Sequence, residues 1–143
     1  MIISHLINKE LVILINIFLL SLIIITQFVS YPLFLKVNNK VFVEYHQSYT
    51  FYISTIVVPA MILELLLSLN LIVYSIDTFS ILNIILVGVI WLSTFFLQVP
   101  IHNKLSHGYN IDLIKKLIST NWIRTSAWTF KLIICVYAYQ DIV

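Results

Sequence analysis

Residues Leu11 to Tyr31 read LVILINIFLLSLIIITQFVSY and contain no Asp, Glu, Lys or Arg. An α-helix needs about 20 consecutive apolar residues, at 1.5 Å of rise each, to cross a hydrocarbon layer about 30 Å thick. The stretch is too long for a cleavable secretion signal and lacks a small-x-small cleavage site. It also runs into Tyr31-Pro32, so it is expected to stay in the mature protein as a membrane helix. Three further stretches meet the same length requirement: Thr50 to Ser75, Ser80 to Val99 and Asn121 to Tyr139. In lipid each backbone N–H and C=O must be satisfied within the segment, which selects helices. The predicted fold is therefore all-α, a four-helix transmembrane bundle forming one domain over residues 1–143.

Composition agrees. Of 143 residues, 61% are hydrophobic and 10% charged, with a mean hydropathy of +1.03. A water-soluble fold would lack polar surface to cover itself. The net charge of +2 is spread without a basic run, which gives no support to nucleic-acid binding. Cys135 is the lone cysteine, so it can form no internal disulfide, and no CxxC or Cys/His metal spacing surrounds it. It reads as a packing residue.

The connections set the topology. Pro32 to Tyr49 holds Lys36, Asn38, Asn39, Lys40, Glu44 and His46 and is expected outside the hydrocarbon. The link Ile76-Asp77-Thr78-Phe79 is tight and makes the second and third spans antiparallel neighbours. Between the third and fourth spans, Asp112, Lys115 and Lys116 alternate with Ile111, Leu113, Ile114, Leu117 and Ile118. That pattern predicts a short amphipathic helix lying along the membrane surface. No internal repeat, low-complexity tract or glycine-rich linker is visible. The first and third connections share one side and carry Lys36, Lys40, Lys104, Lys115 and Lys116, against mainly Lys9 opposite. The positive-inside rule puts these connections in the cytoplasm, with both termini outside, in a membrane expected to be the bacterial inner membrane.

Polar side chains at membrane depth cost several kcal/mol unless they are paired or line a cavity, so they are the informative residues. Glu64 lies about fourteen residues into the second span, roughly 21 Å deep at 1.5 Å per residue. His46 returns to the same face if that helix begins before it, and Pro59 is a candidate bend. The bland reading of Glu64 is a protonated carboxyl bonded to a neighbouring helix; the functional one is a proton donor or acceptor, or a ligand anchor. Trp91, Phe95, Gln98 and His102 recur at helical spacing, an aromatic wall beneath an amide and an imidazole. Asn121, Arg124, Trp128 and Lys131 fall within about 80° on one face. Arg124 could snorkel to headgroups, whereas Lys131 sits too deep and suggests an ion pair with Glu64. Tyr31, His46, Gln98, His102, Asn103, Asn121 and Arg124 all belong to the cytoplasmic end. Together they predict a pocket there, floored by Glu64 and walled by aromatics.

Several stretches carry a resemblance: Glu44-Tyr45-His46-x-x-Tyr49, Pro59-x-x-x-x-Glu64-Leu65, Trp91-Leu92-Ser93-Thr94 with Gln98-Val99-Pro100-Ile101-His102-Asn103-Lys104-Leu105, and Thr120-Asn121-Trp122-Ile123-Arg124-Thr125 with Trp128-Thr129. Over nearly its whole length the chain resembles an uncharacterised family of small bacterial four-helix membrane proteins. More distantly, Val-Pro-x-x-Asn-x-Leu followed by Asn-x-x-Arg-Thr is similar to the anthrone-oxygenase-like family, some of whose members oxidise polycyclic phenols with dioxygen and no obvious cofactor. The resemblance implies a scaffold that holds a flat, greasy molecule near polar groups. His102 before Asn103, together with His46 and Glu64, departs from that family's pattern, so its chemistry does not transfer directly.

Three functions compete. In the first, the protein binds a lipophilic aromatic or quinone-like molecule and oxidises or protonates it. His46, Glu64 and His102 would form the catalytic set, with a histidine moving the proton. Asn103, Asn121 and Arg124 would hold oxyanion charge, Trp91, Phe95 and Trp128 would stack on the ring, and Tyr31 and Gln98 would complete the pocket. This reading needs no cofactor. In the second, His46 and His102, with or without Glu64, ligate haem or a metal. In the third, the chain is an accessory subunit whose Ser21, Thr26, Ser93 and Thr94 serve helix contacts. Self-association is compatible with all three. Transport has the least support, since inverted repeats and broken helices are lacking.

Overall fold

A computed structural model describes residues 2–140 of the chain, and among them all regular structure is helical. The first rod comprises α1 (Ile2–Ile25), a π-helical turn (Thr26–Ser30) and α2 (Tyr31–Phe34). The second is α3 (Phe42–Tyr74), and the third comprises α4 (Thr78–Ser93), a second π-helical turn (Thr94–Gln98) and α5 (Val99–Leu105). The fourth is α6 (Ile111–Gln140). Three segments, Asn8–Phe34, Phe42–Tyr74 and Thr78–Leu105, are long and apolar enough to cross a membrane.

Each π turn answers a proline. Pro32 and Pro100 lack an N–H and would press their rings against the carbonyl four residues back in a regular helix. The wider turn relieves this: Tyr31 N–H bonds to the Thr26 carbonyl, and Val99 N–H bonds to the Thr94 carbonyl. The same arrangement, a π turn opened by threonine and closed two residues after its end by proline, thus occurs in the first and third rods. The recurring element is a backbone feature carried by few identical letters. Pro59, by contrast, sits on an exposed face and α3 runs through it unbroken.

The helices extend further than hydropathy indicated. The first connection shrinks to Leu35 through Val41 and the third to Ser106 through Asn110. The predicted separate amphipathic helix does not exist: Ile111 to Ile118 forms the first turns of α6 itself. Its periodicity was real, because Ile114 and Leu117 are buried while Asp112, Lys115 and Lys116 are exposed. With its apolar stripe packed against Phe34, Ile101 and Leu105, that stretch has protein to bury against and continues the rod.

α1 packs against α3 and α6, and α4 packs against the same two. Three apolar layers stack along the rods. Val12, Leu71, Phe79 and Cys135 form one end; Leu19, Ile23, Met61, Ile90 and Trp128 form the middle; Tyr31, Phe34, Phe42, Ile101, Leu105, Ile114 and Leu117 form the other end. Polar residues fill the two levels between. Asn16, Glu64, Asn83 and Lys131 lie between the first and middle layers, and Gln27, His46, Gln98, Asn121 and Arg124 lie between the middle and last. The outside is the inverse: Phe28, Phe51, Ile62, Leu66, Leu92, Phe96, Phe130 and Tyr137 are exposed. Lipid, not water, is the solvent that such a surface suits.

Side-chain caps start α4 and α6, the latter through Asn110, whereas α3 starts after Val41 without one. Asp77 accepts from Ser80 N–H at 2.7 Å while the Ser80 hydroxyl accepts from Asp77 N–H at 3.0 Å, a capping box that starts α4. Burial opposes ionisation of Asp77, but the Ser80 backbone and side-chain bonds, with Lys9 and Ser75, outweigh it and hold the carboxyl below the usual range.

Candidate functional site

Two polar levels, one on each side of the Trp128 layer, hold the buried ionisable groups. In the level toward the termini, Lys131 Nζ lies 2.7 Å from Glu64 Oε1, and both side chains are fully buried. Trp128 Nε1 donates to the same carboxylate at 3.0 Å, and Asn16 Nδ2 donates to the Trp128 carbonyl at 3.3 Å. Glu64 is thus paired and hydrogen-bonded. The ion pair with Lys131 suggested by helical position is present, but the carboxylate is not part of the lining of the cavity described below, and Trp128 stands between it and the other level.

The second level is built around the π turns, which swing Gln27 and Gln98 inward just before Tyr31 and Ile101. Tyr31 Oη lies 3.0 Å from His102 Nε2, and His102 Nδ1 lies 2.9 Å from His46 Nε2. The imidazoles stack at 5.1 Å between centroids, and Phe42 stacks on the outer face of His46 at 5.5 Å. Phe34 closes edge-on over His46 and Tyr49. His46 Nδ1 is buried without a partner. Either imidazole tautomer can run this chain, with Tyr31 donating to His102 or accepting from it.

Beside the chain, Asn121 Nδ2 donates to Gln27 Oε1 at 2.8 Å, and Gln27 Nε2 donates to the Ile118 carbonyl at 3.2 Å. Arg124 donates to the Tyr31 hydroxyl, reaches Asn121 Oδ1 only at 3.5 Å, lies 5.3 Å over the Trp128 ring, and has a buried Nε without a partner. Among the described residues no carboxylate lies within ion-pair distance of it.

Tyr31, His102, Arg124 and Trp128 form the polar wall of a cavity of about 70 Å³, closed otherwise by α1 and α3 through Leu19, Ile23, Thr26, Tyr49, Ile53 and Val57. It opens sideways between those two helices, where Leu22, Tyr49, Ile53 and Val57 are half-buried.

The remaining predicted residues lie elsewhere. Gln98 faces α6 and donates to Thr120 Oγ1 at 3.1 Å. Trp91 packs in a tilted contact on the exposed Phe95, 5.4 Å between ring centroids, and lines no part of the cavity. Asn103 is exposed, one position past the buried face of α5. Gln27, Tyr49 and Thr26 were not singled out as site residues. Gln27 was legible as an amide inside an apolar run, while Tyr49 gains its place only from the crossing of α3 over α1.

The haem or metal alternative for His46 and His102 does not fit. A metal held between two imidazole nitrogens stands about 2.0–2.1 Å from each, which separates them by roughly 4 Å when they are opposed; here they share a hydrogen bond. Among the described residues no three His, Cys, Asp or Glu side chains converge.

The class that emerges is a helical protein with an apolar exterior and an interior of three apolar layers separated by polar levels. Compared with protein families, curated proteins and solved structures, the chain matches none.

Proposed function

We propose that the chain is a four-helix transmembrane bundle that binds a lipophilic aromatic or quinone-like molecule at the Tyr31/His102 cavity and exchanges protons with it through His102 and His46. Reading α6 as the fourth span is supported by its burial pattern. Arg124 and Lys131 point inward, while Trp122, Ile123, Phe130, Ile133 and Val136 face out. Lys36 and Lys40 in the first connection, with Lys104, Lys115 and Lys116 on the helix ends that flank the third, orient the cavity end toward the cytoplasm of a bacterial inner membrane, with both termini outside. The residue pattern likened above to the anthrone-oxygenase-like family would also imply a flat ligand.

The observation that carries the reading is the continuous Tyr31–His102–His46 chain with its first two members on the cavity wall. A phenolic or hydroquinone hydroxyl bound there can give up or take back its proton without any change of oxidation state, and hydrogen-bonded imidazoles can pass that proton along the chain. Gln27 and Asn121 fix the Arg124 side of the wall, and Trp128 offers a flat surface.

The test uses purified protein in nanodiscs, with Trp91 and Trp122 replaced by Phe so that Trp128 reports. Titration with a short-tailed benzoquinone is expected to quench its emission saturably. His102→Gln is expected to weaken the interaction about tenfold, equivalent to 1.4 kcal/mol. Quenching that never saturates and is identical in the variant would count against the site.

A further inference from the structure

We infer that the Arg124 cavity takes its ligand as an anion: a carboxylate or phenolate oxygen on an apolar body, entering sideways from the bilayer between α1 and α3. The inference rests on the ligand site proposed above and specifies the charge and route of what fills it.

The argument starts from the cost of a lone charge. Both Arg124 and Lys131 are cations on α6 with little or no exposure, 7% and 0%. Lys131 has Glu64 at 2.7 Å. Arg124 has the neutral Tyr31 hydroxyl as a hydrogen-bond acceptor, a long amide contact, the face of Trp128 and an unpartnered Nε, and none of these carries a counter-charge. A guanidinium is not neutralised by losing a proton in proteins, and it presents a planar fork of N–H donors shaped for carboxylate or another oxyanion. A buried, uncompensated cation is costly, and the empty space beside this one is where a counter-charge would sit.

The size of that space decides how much of the ligand enters. About 70 Å³ exceeds what one water needs but is well below the roughly 300–1,000 Å³ of pockets that enclose a whole drug-sized molecule. An acidic head fits, and the remainder must stay outside. Tyr49 and Ile53, at the mouth, also belong to a shallow groove of about 360 Å³ along α3 that continues past Tyr52 and Ile56. An apolar body can lie there against protein on one side and lipid on the other. The hydroxyl of Tyr31 and the imidazole of His102 flank the same head, so that protonation of the bound anion runs through them.

The experiment measures saturable binding of radiolabelled laurate to the full chain in nanodiscs at neutral pH, against unlabelled competitors. Laurate is expected to be held and displaced by unlabelled laurate, with dodecanol at least thirtyfold weaker as a competitor. Arg124→Gln is expected to reduce laurate binding at least thirtyfold, and Arg124→Lys to retain part of it. A lipophilic phenol that is ionised at that pH forms the second arm. Phenolate alone binding identifies an aromatic ligand, laurate alone an acyl chain, and both establish the shared anion chemistry. Equal competition by laurate and dodecanol in the wild-type chain overturns the inference and does not depend on any variant folding. If the neutral benzoquinone binds in a His102-dependent way while Arg124→Gln changes nothing, the anion inference falls and the site stands; if no probe binds saturably, both fall.

Discussion

Two buried cations on one helix, less than two turns apart, meet opposite circumstances. Lys131 lies in a level where Glu64 arrives from α3 and Trp128 adds a donor to the same carboxylate, and neither member of the pair lines the Arg124 cavity. Arg124 lies one layer away, its guanidinium on a cavity wall that contains imidazole, phenol and indole but no carboxylate. Position on the helix and burial are nearly the same. What separates a pair that holds the helices together from a group available to a ligand is whether the opposing helix brings the compensating charge.

The largest test of that contrast is Lys131→Met. It leaves Glu64 buried without its partner and should cost about 3–5 kcal/mol, read as loss of thermal stability in detergent. Adding Glu64→Leu should recover most of that loss, because two apolar residues replace a pair whose desolvation was already expensive. A double variant as unstable as the single one would show that the Glu64 level does more than join α3 to α6.

Next in size is Asn121→Ala. It strands Gln27 Oε1 and weakens the hold on Arg124, and should cost about 1–3 kcal/mol. If stability is unchanged, the Gln27–Asn121 bridge is not what fixes the cavity wall.

A control outside both levels is Asp77→Ala, which removes the α4 cap and should cost about 0.5–2 kcal/mol at neutral pH. Because the folded carboxyl is held below its unfolded value, its contribution is present above the unfolded pKa and is lost as pH falls through the folded one. The difference in melting temperature between wild type and variant should therefore narrow on acidification to below about pH 4. A difference that is constant with pH would contradict the ionised cap.

The smallest expected effect is the sharpest comparison. Arg124→Met leaves no carboxylate unpaired and should change stability by under about 1 kcal/mol in the absence of ligand, where Lys131→Met is severe. Equal losses from the two substitutions would erase the distinction between the levels.

Much of the architecture was legible in the chain because lipid imposes a simple rule. Uninterrupted apolar runs such as Leu11 to Tyr31 must be helical, and the link around Asp77 is too short for anything but a reversal. Glu64 and Lys131 were legible as partners because both lie too deep to remain alone. Hydropathy failed where helices leave lipid yet still have protein to pack on: it ended the third span at Val99 and treated Ile111 to Ile118 as a separate helix, although α5 and the start of α6 bury each other's apolar stripes. It also grouped Glu64 with His102, because both are polar and membrane-embedded, and could not see Trp128 standing between them.

Sequence by itself determined that the long helical runs are apolar enough for lipid, and which polar residues within them had to find partners inside. It did so because burial in lipid depends on composition along a segment and on the fixed rise of a helix. Only the tertiary structure decided which partners they found. That His102 bonds to both Tyr31 and His46, that Asn103 faces out, and that Arg124 meets a cavity in place of a carboxylate all depend on how the rods cross and on where the two proline-driven π turns rotate the residues beyond them.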